Sequence, residues 1–496
     1  MPHTLLRKPI RTTPLAACLA LALALGESAA WGDTPPGFAI ARPGFGGGSR
    51  YTGFAARADA EARSAKRSVA SAAAPRPQVP ILPVTSCDDD GSPGTLRSVV
   101  ASALSGDIVD LGALTCSTIS LANGAIGIPI ESLQIVGPGS ALLTLDANQS
   151  YKRIFQHSGH GTLTVSGLRL THGWADIGWP AYGGCIYSQG SVDLTDVAVV
   201  ACKAVSVAGV AKGGGIWTGG SLTLHRSVVS GNQANPGTDA YGGGAFAAGG
   251  LYLYSSTVSD NFATNAYGGG FGGGLFTLGN ANIVASTISN NHAVNVGGVS
   301  IAGYAAGAVI VNSTVSGNLA SQFIAGVYSN SPLYVYNSTI AFNTAAQTST
   351  TFVTAGGLQV YATSADLQSS IIANNSAGAT AFDVGMSGGG SVTGANNLIR
   401  IASNLMPADT IIEDPQLLPL QDNGGETATL ALAATSPAID RGNIVGADDY
   451  DQRGLGYVRV FGAAADIGAF EVQDIEDDLI FRNGFDGGMQ SAPELE

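Results

Sequence analysis

A six-residue segment that returns at a nearly fixed interval constrains this chain more than any other feature. It reads Ser227-Val228-Val229-Ser230-Gly231-Asn232, then Ser256-Thr257-Val258-Ser259-Asp260-Asn261, and continues to Ser370-Ile371-Ile372-Ala373-Asn374-Asn375. The closing Asn falls at 232, 261, 291, 318, 343 and 375, at intervals of 25 to 32 residues. Upstream, Cys202 and Gly173 hold the same place. A second element keeps step: Gly183-Gly184-Cys185-Ile186-Tyr187, Gly213-Gly214-Gly215-Ile216-Trp217, Gly242-Gly243-Gly244-Ala245-Phe246 and Gly272-Gly273-Gly274-Leu275-Phe276. Short alternating runs such as Leu251-Tyr252-Leu253-Tyr254 lie between the two. A period of about 20–50 residues marks a solenoid. Each unit holds about three short strands and no helical pattern, which predicts an all-β parallel β-helix with one coil per unit.

The physics of stacking agrees. Coils pair strand on strand about 4.8 Å apart. An Asn at one corner of every coil can bond its neighbours and satisfy buried turn backbone. Small residues suit corners with unusual φ. Residues 95–412, at about 29 per coil, predict about eleven coils and a rod of about 50 Å.

Such a rod needs a cap, or its apolar end faces water. Gly94 to Leu104 supplies one: apolar residues at 96, 99, 100, 103 and 104 have helical spacing, and Ser105-Gly106 stops it. Residues 31–80, rich in Ala, Pro and Gly, read as a disordered linker. Residues 1–30 read as a Sec-type signal: a basic start at Arg7, Lys8 and Arg11, an apolar stretch from Leu15 to Leu25, and Ser28-Ala29-Ala30 for cleavage. The expected domains are therefore 1–30 signal, 31–80 linker, 81–412 β-helix with cap, 413–473 a C-terminal module and 474–496 an acidic tail. Beyond the signal, four Cys remain: Cys87, Cys116, Cys185 and Cys202. An even number in an exported chain suggests two disulfides. Three pairings are open, and the sequence-local one, Cys87–Cys116 with Cys185–Cys202, is favoured.

Charge narrows the function. Only 12% of residues are charged, about half the usual share. The formal net charge of −14 and a pI near 4.7 repel phosphate backbones, so no nucleic-acid partner is expected. No apolar run after the signal is long enough to span a membrane.

The repeats resemble those of bacterial right-handed β-helix proteins of the pectate-lyase-like superfamily, in the branch similar to polymorphic outer membrane proteins. This covers about residues 87–400. Further on, Asp422-Asn423-Gly424-Gly425-Glu426-Thr427, Ser436-Pro437-Ala438-Ile439-Asp440-Arg441-Gly442, Asp451-Gln452-Arg453-Gly454 and Asp466-Ile467-Gly468-Ala469-Phe470-Glu471 resemble a choice-of-anchor Q domain. The tail Leu479 to Asp486 is similar to a C-terminal tag on exported bacterial proteins. Together these imply an extracellular or outer-surface protein of a Gram-negative bacterium, with a polysaccharide or cell surface as its ligand. A monomer is expected.

The superfamily also contains lyases and glycosidases. A lyase needs Ca²⁺-binding carboxylates and a basic residue; a glycosidase needs paired carboxylates. Residues 132–412 contain no Glu, and residues 227–399 contain no Lys or Arg and only four Asp. The window 150–226 holds charged groups, among them Asp176, Asp193, Asp196 and Arg226, the candidates if the chain is an enzyme. Asp193 and Asp196 are an odd number apart, so a continuous strand would point them to opposite faces. His157 and His160 read as a turn bearing imidazoles. Asp88-Asp89-Asp90 clusters oxygen ligands of the kind Ca²⁺ takes, with a solvated loop as the alternative. The region of Asp440 and Asp451 is a second place for Ca²⁺. Trp174 and Trp179, read as loop residues, are candidates for stacking on sugar rings. The recurring aromatics Tyr187, Trp217, Phe246 and Phe276 are assigned to the rod's interior, because Cys185 lies two residues before Tyr187 and Cys202 holds the inward Asn position. The reading favoured is a non-catalytic, adhesin-like carbohydrate binder, with a polysaccharide lyase or hydrolase as the alternative.

Overall fold

A computed structural model describes residues 79–148, 152–175, 180–264, 269–303, 307–347, 354–378, 382–404, 406–445 and 449–473. The signal, most of the linker, the tail, Asp176 and Trp179 lie outside the described residues.

The repeats wind into a parallel β-helix. One coil runs Ile216–Thr218, Leu222–His225, Val228–Ser230 and Gln233–Asn235. Each of these strands pairs in parallel with its equivalent one period away: Ile216 with Ala245, Leu222 with Leu251, Val228 with Thr257, Gln233 with Phe262. A 21-stranded sheet carries two ladders side by side, and 10-stranded and 8-stranded sheets complete the walls. Alternation along each strand sends Leu222, Leu224 and Val229 into one continuous apolar core that runs the length of the rod.

The corners explain why two motifs recur in step. Asn232 Nδ2 donates to Val199 O (3.0 Å) and to Asn261 Oδ1 (2.9 Å), and Asn261 Oδ1 also accepts from Asn232 N (3.0 Å). The same set repeats through Asn291, Asn318, Asn343 and Asn375. Asp383 ends the ladder by accepting from Asn375 N and Nδ2. The third Gly of each Gly triplet packs on this ladder: a Cβ on Gly215 would sit 2.9 Å from Asn232 Cγ, and one on Gly274 would sit 3.0 Å from Asn291 Cγ. One coil replaces the Gly–Asn pair with Cys185–Cys202, which are disulfide-bonded, as are Cys87–Cys116. A parallel ladder of Ser runs along the next corner, where Ser227 N donates to Ser256 Oγ and Ser256 N to Ser286 Oγ.

Corner backbone meets expectation where the first Gly of each triplet, Gly183, Gly213, Gly242 and Gly272, takes φ of 59° to 69°, and departs from it at another corner. There the left-handed position is occupied by Asp196, Arg226, Ser255, Ala285, Asn312, Asn337, Ser369 and Asn396 in successive coils, with φ of 44° to 55°. Small size is therefore not what this corner selects. The identical stacking of every coil holds the conformation whatever the side chain.

The N-terminal cap is as predicted in kind and shorter in extent. A helix, Leu96–Ser102, buries Leu96 and Val100, with Thr95 as its N-cap. The edge strand Ile81–Pro83 pairs with Ile108–Asp110. At the other end the chain turns back. The antiparallel hairpin Leu417–Gln421 and Thr429–Leu432, with the residues that follow, lies along the side of the late coils.

Candidate functional site

The outer face of the first ladder in the large sheet is the most developed surface. Asp193 pairs with Thr223, and the register continues through Tyr252, Asn282, Val309 and Tyr334 to Asp366. Two residues along each strand run Thr195, His225, Tyr254, Val284, Val311, Tyr336 and Gln368. All are half-buried, as flat sheet residues open to solvent on one side are. His225 stacks on Tyr254 at 4.8 Å between centroids, and Asn282 Nδ2 lies 3.4 Å from Tyr254 Oη. Tyr334 meets Tyr336 edge-on, and Tyr336 Oη donates to Asp366 Oδ2 at 3.0 Å. The result is a strip of aromatic and hydrogen-bonding groups along the rod.

Asp193 stands at the N-terminal end of this strip. Its Oδ1 is buried without a hydrogen-bond partner. Burial pushes its carboxyl above the usual carboxylate range, and nearby His225 pulls it the other way. Asp196 does not lie on the opposite face. It sits in the left-handed corner at φ 52°, where the strand bends, so the odd offset no longer decides direction. Its Oδ1 accepts from Ser140 Oγ at 2.8 Å, which makes it a strut between the corner and a loop. Arg226 occupies the same corner one coil on and is exposed.

The aromatics at 187, 217, 246 and 276 are not in the rod's core. Ile186 and Ser188 are fully buried inside, so Tyr187 points out. Parity fails because the Gly corner breaks the strand just before Ile186, although Cys185 does bond Cys202. What covers these rings was not legible. Among the described residues four coils carry an arm: a strand such as Lys203–Val205 runs out and Ala211–Lys212 runs back. The arms have their own alanine core, including Ala181, Ala204, Ala211, Ala234 and Ala240. Residues on the returning strands meet the outward aromatics, as Tyr182 with Trp217 at 5.2 Å and Tyr241 edge-on to Phe276 at 5.2 Å.

The other candidates have structural partners. Trp174 belongs to a two-residue strand rather than a loop, and Lys203 lies over its ring. Asp89 is bound by Arg97 at 2.9 and 3.0 Å and by Asn123 N; Asp88 bonds Ser86; Asp90 accepts from Ser92 N. Asp440 Oδ1 accepts from Ala463 N and Ala464 N, and Asp451 pairs with Arg453 at 2.6 Å. His157 lies inside the rod: Nδ1 is 2.7 Å from Ser188 Oγ and Nε2 is 3.1 Å from Ile130 O and Glu131 O. Carbonyls beside Nε2 require a donor there, so that nitrogen carries a proton. Among the described residues no group of three His, Cys, Asp or Glu is placed to hold a metal, and no helix is long and apolar enough to cross a membrane.

Comparison with known proteins adds little. No family model and no curated protein matches the chain. A crystal structure of the pectate lyase Pel9A is similar at 14% identity and a TM-score of 0.40, covering 80% of this chain and 96% of that one.

Proposed function

We propose that this protein binds carbohydrate without cleaving it, along the tyrosine strip of the large sheet, as an exported or surface-associated protein. The observation that carries the reading is the separation of the strip's carboxylates. Asp193 and Asp366 are six ladder steps apart. At about 4.8 Å per step that is roughly 29 Å, whereas glycosidase carboxylates stand about 5–9.5 Å apart. Tyr252, Tyr254, Tyr334 and Tyr336 instead supply apolar rings with polar tips, the combination that suits a sugar's C–H face and hydroxyls. The coil spacing is close to the length of one sugar residue in an extended chain, so successive residues can meet successive coils. Two disulfides and low charge fit a chain built for life outside the cell. The C-terminal module, by its resemblance, belongs to the surface attachment of such a rod.

The test is a polysaccharide panel read for binding and for new reducing or unsaturated ends together. Binding without product is expected, weakened about tenfold or more by Tyr254→Ala or Tyr336→Ala, since truncating an aromatic binding anchor costs on the order of 2 kcal/mol. Product formation abolished by Asp193→Asn would overturn the reading in favour of the lyase or hydrolase alternative.

A further inference from the structure

The seam where the returning strands meet the outward aromatics holds a feature the tyrosine strip does not explain. On the returning strands the residues facing the rod are Tyr182, Lys212, Tyr241 and Phe271, in register. Lys212 alone breaks an otherwise aromatic column. Its Nζ lies 5.6 Å from the Tyr182 ring, 5.8 Å from Tyr241 and 5.0 Å from Phe246. No hydrogen bond or ion pair reaches this ammonium among the described residues. Burial holds its amine below the usual lysine range, as expected for a cation without a counter-charge.

The neighbours are donors as well. Trp217 stacks between Tyr187 at 4.7 Å and Tyr182 at 5.2 Å, and its indole N–H is buried and unpartnered. The Arg153 guanidinium lies over the Tyr187 ring at 5.3 Å. The stack therefore reads cation, three rings, cation. Lys152, Arg153, Arg169, Lys203, Lys212 and Arg226 all fall between 152 and 226, while residues 227–399 have no Lys or Arg. A rod of net negative charge thus gathers most of its positive charge in a few coils, around the Lys212 ammonium and the Trp217 indole N–H.

We propose that the seam between arm and rod at Lys212 is a second binding site that takes an anionic oxygen group, carboxylate or sulfate, carried on a polysaccharide. The ammonium and the phenol tips of Tyr182 and Tyr187 supply donors to the anion, and the aromatic walls accept the sugar's apolar body. The site lies on a different sheet from the tyrosine strip and stands or falls separately from it.

The experiment sets the full chain against three polymers with one backbone: dextran, carboxymethyl dextran and dextran sulfate, at low and high salt. A charged polymer should bind and plain dextran should not, and which charged polymer binds tells carboxylate from sulfate. Lys212→Gln should weaken that binding about tenfold or more, the scale of one charge-assisted contact, and Lys212→Arg should keep most of it. Lys203→Gln is the control. Ala204 and Ala211 face each other inside the arm, so Lys203 and Lys212 point out of opposite sides. Equal binding of plain dextran, no binding of either charged polymer, or equal losses in Lys212→Gln and Lys203→Gln would each overturn the proposal. Lost binding to neutral sugars in Tyr254→Ala leaves it untouched.

Discussion

The pair Cys185–Cys202 stands where neighbouring coils place Gly and Asn, and this makes the corner testable residue by residue. In coil 213–235 the Asn232 amide fills the space a Cβ on Gly215 would need. In the coil before it the disulfide fills that space, and Gly173 gives way in turn, since a Cβ there would lie 2.6 Å from Cys185 Sγ. Breaking the bond with Cys185→Ser and Cys202→Ser should cost about 2–4 kcal/mol. Writing the neighbouring coil's solution instead, Cys185→Gly with Cys202→Asn, should recover about 1–2 kcal/mol of that, because the new amide rejoins the Asn232 ladder and accepts from Gly173 N. Denaturant melts of the two double variants decide it; equal stability would mean the ladder does not extend past Cys202. The repeats made the ladder legible, because stacking demands the same side chain at the same place in every coil. The direction of Tyr187 was not legible. Parity holds only along unbroken strand, and the Gly183–Cys185 corner resets it.

The C-terminal module is an element held by charge inside and by hydrogen bonds to the rod outside. Gln452 reaches into the wall: its Oε1 accepts from Thr314 Oγ1 at 2.6 Å and its Nε2 donates to Thr287 Oγ1 at 2.8 Å. Ala469 N donates to Thr339 Oγ1 and Gly468 N to Ser369 O. The Thr of the repeat motif is thus the docking surface on these coils, a role its periodicity could not reveal. Inside, Glu471 accepts from Phe461 N and Asp466 N, with Arg459 at 3.9 Å and Asp466 alongside. Burial pushes the Glu471 carboxyl up to about 7 and raises Asp466 as well. The folded module therefore binds these protons more tightly than the unfolded chain does. That stabilisation is complete below the unfolded carboxylate range and fades as pH rises toward 7. Hydrogen exchange over 413–473, corrected for intrinsic rates, should show opening on the order of tenfold more frequent at pH 8 than at pH 5. A module equally or more open at the lower pH would show that other groups govern its docking. The motif's acids were visible in sequence, but their burial was not, because it depends on which coils they fold back against.

At the scale of the whole molecule, the chain must end a structure whose every coil is a template for the next. Parallel coils leave a row of unpaired backbone groups at each end, and such edges recruit further strands. The two ends are closed differently. At the C-terminal end Asp383 finishes the Asn ladder, and its other oxygen accepts from Ile401 N, after which the chain turns back along the wall. At the N-terminal end the work falls to residues 81–105. Ile81–Pro83 covers the strand Ile108–Asp110, with Pro83 lacking the outward N–H that a further strand would use. The helix then folds Leu96 and Val100 onto the end of the apolar core. Arg97 fixes it there, with bonds to Asp89 and to Gly124 O and Ala125 O. Removing residues 81–105, with Cys116→Ser to avoid a stray thiol, exposes both the core and an edge free of proline. The shortened rods should associate end to end into filaments that keep the parallel spacing of about 4.8 Å in fibre diffraction. Light scattering and electron microscopy distinguish the outcomes. A monodisperse shortened rod would show that the cap is dispensable, and amorphous aggregate without the spacing would assign it to folding of the first coil rather than to guarding the edge.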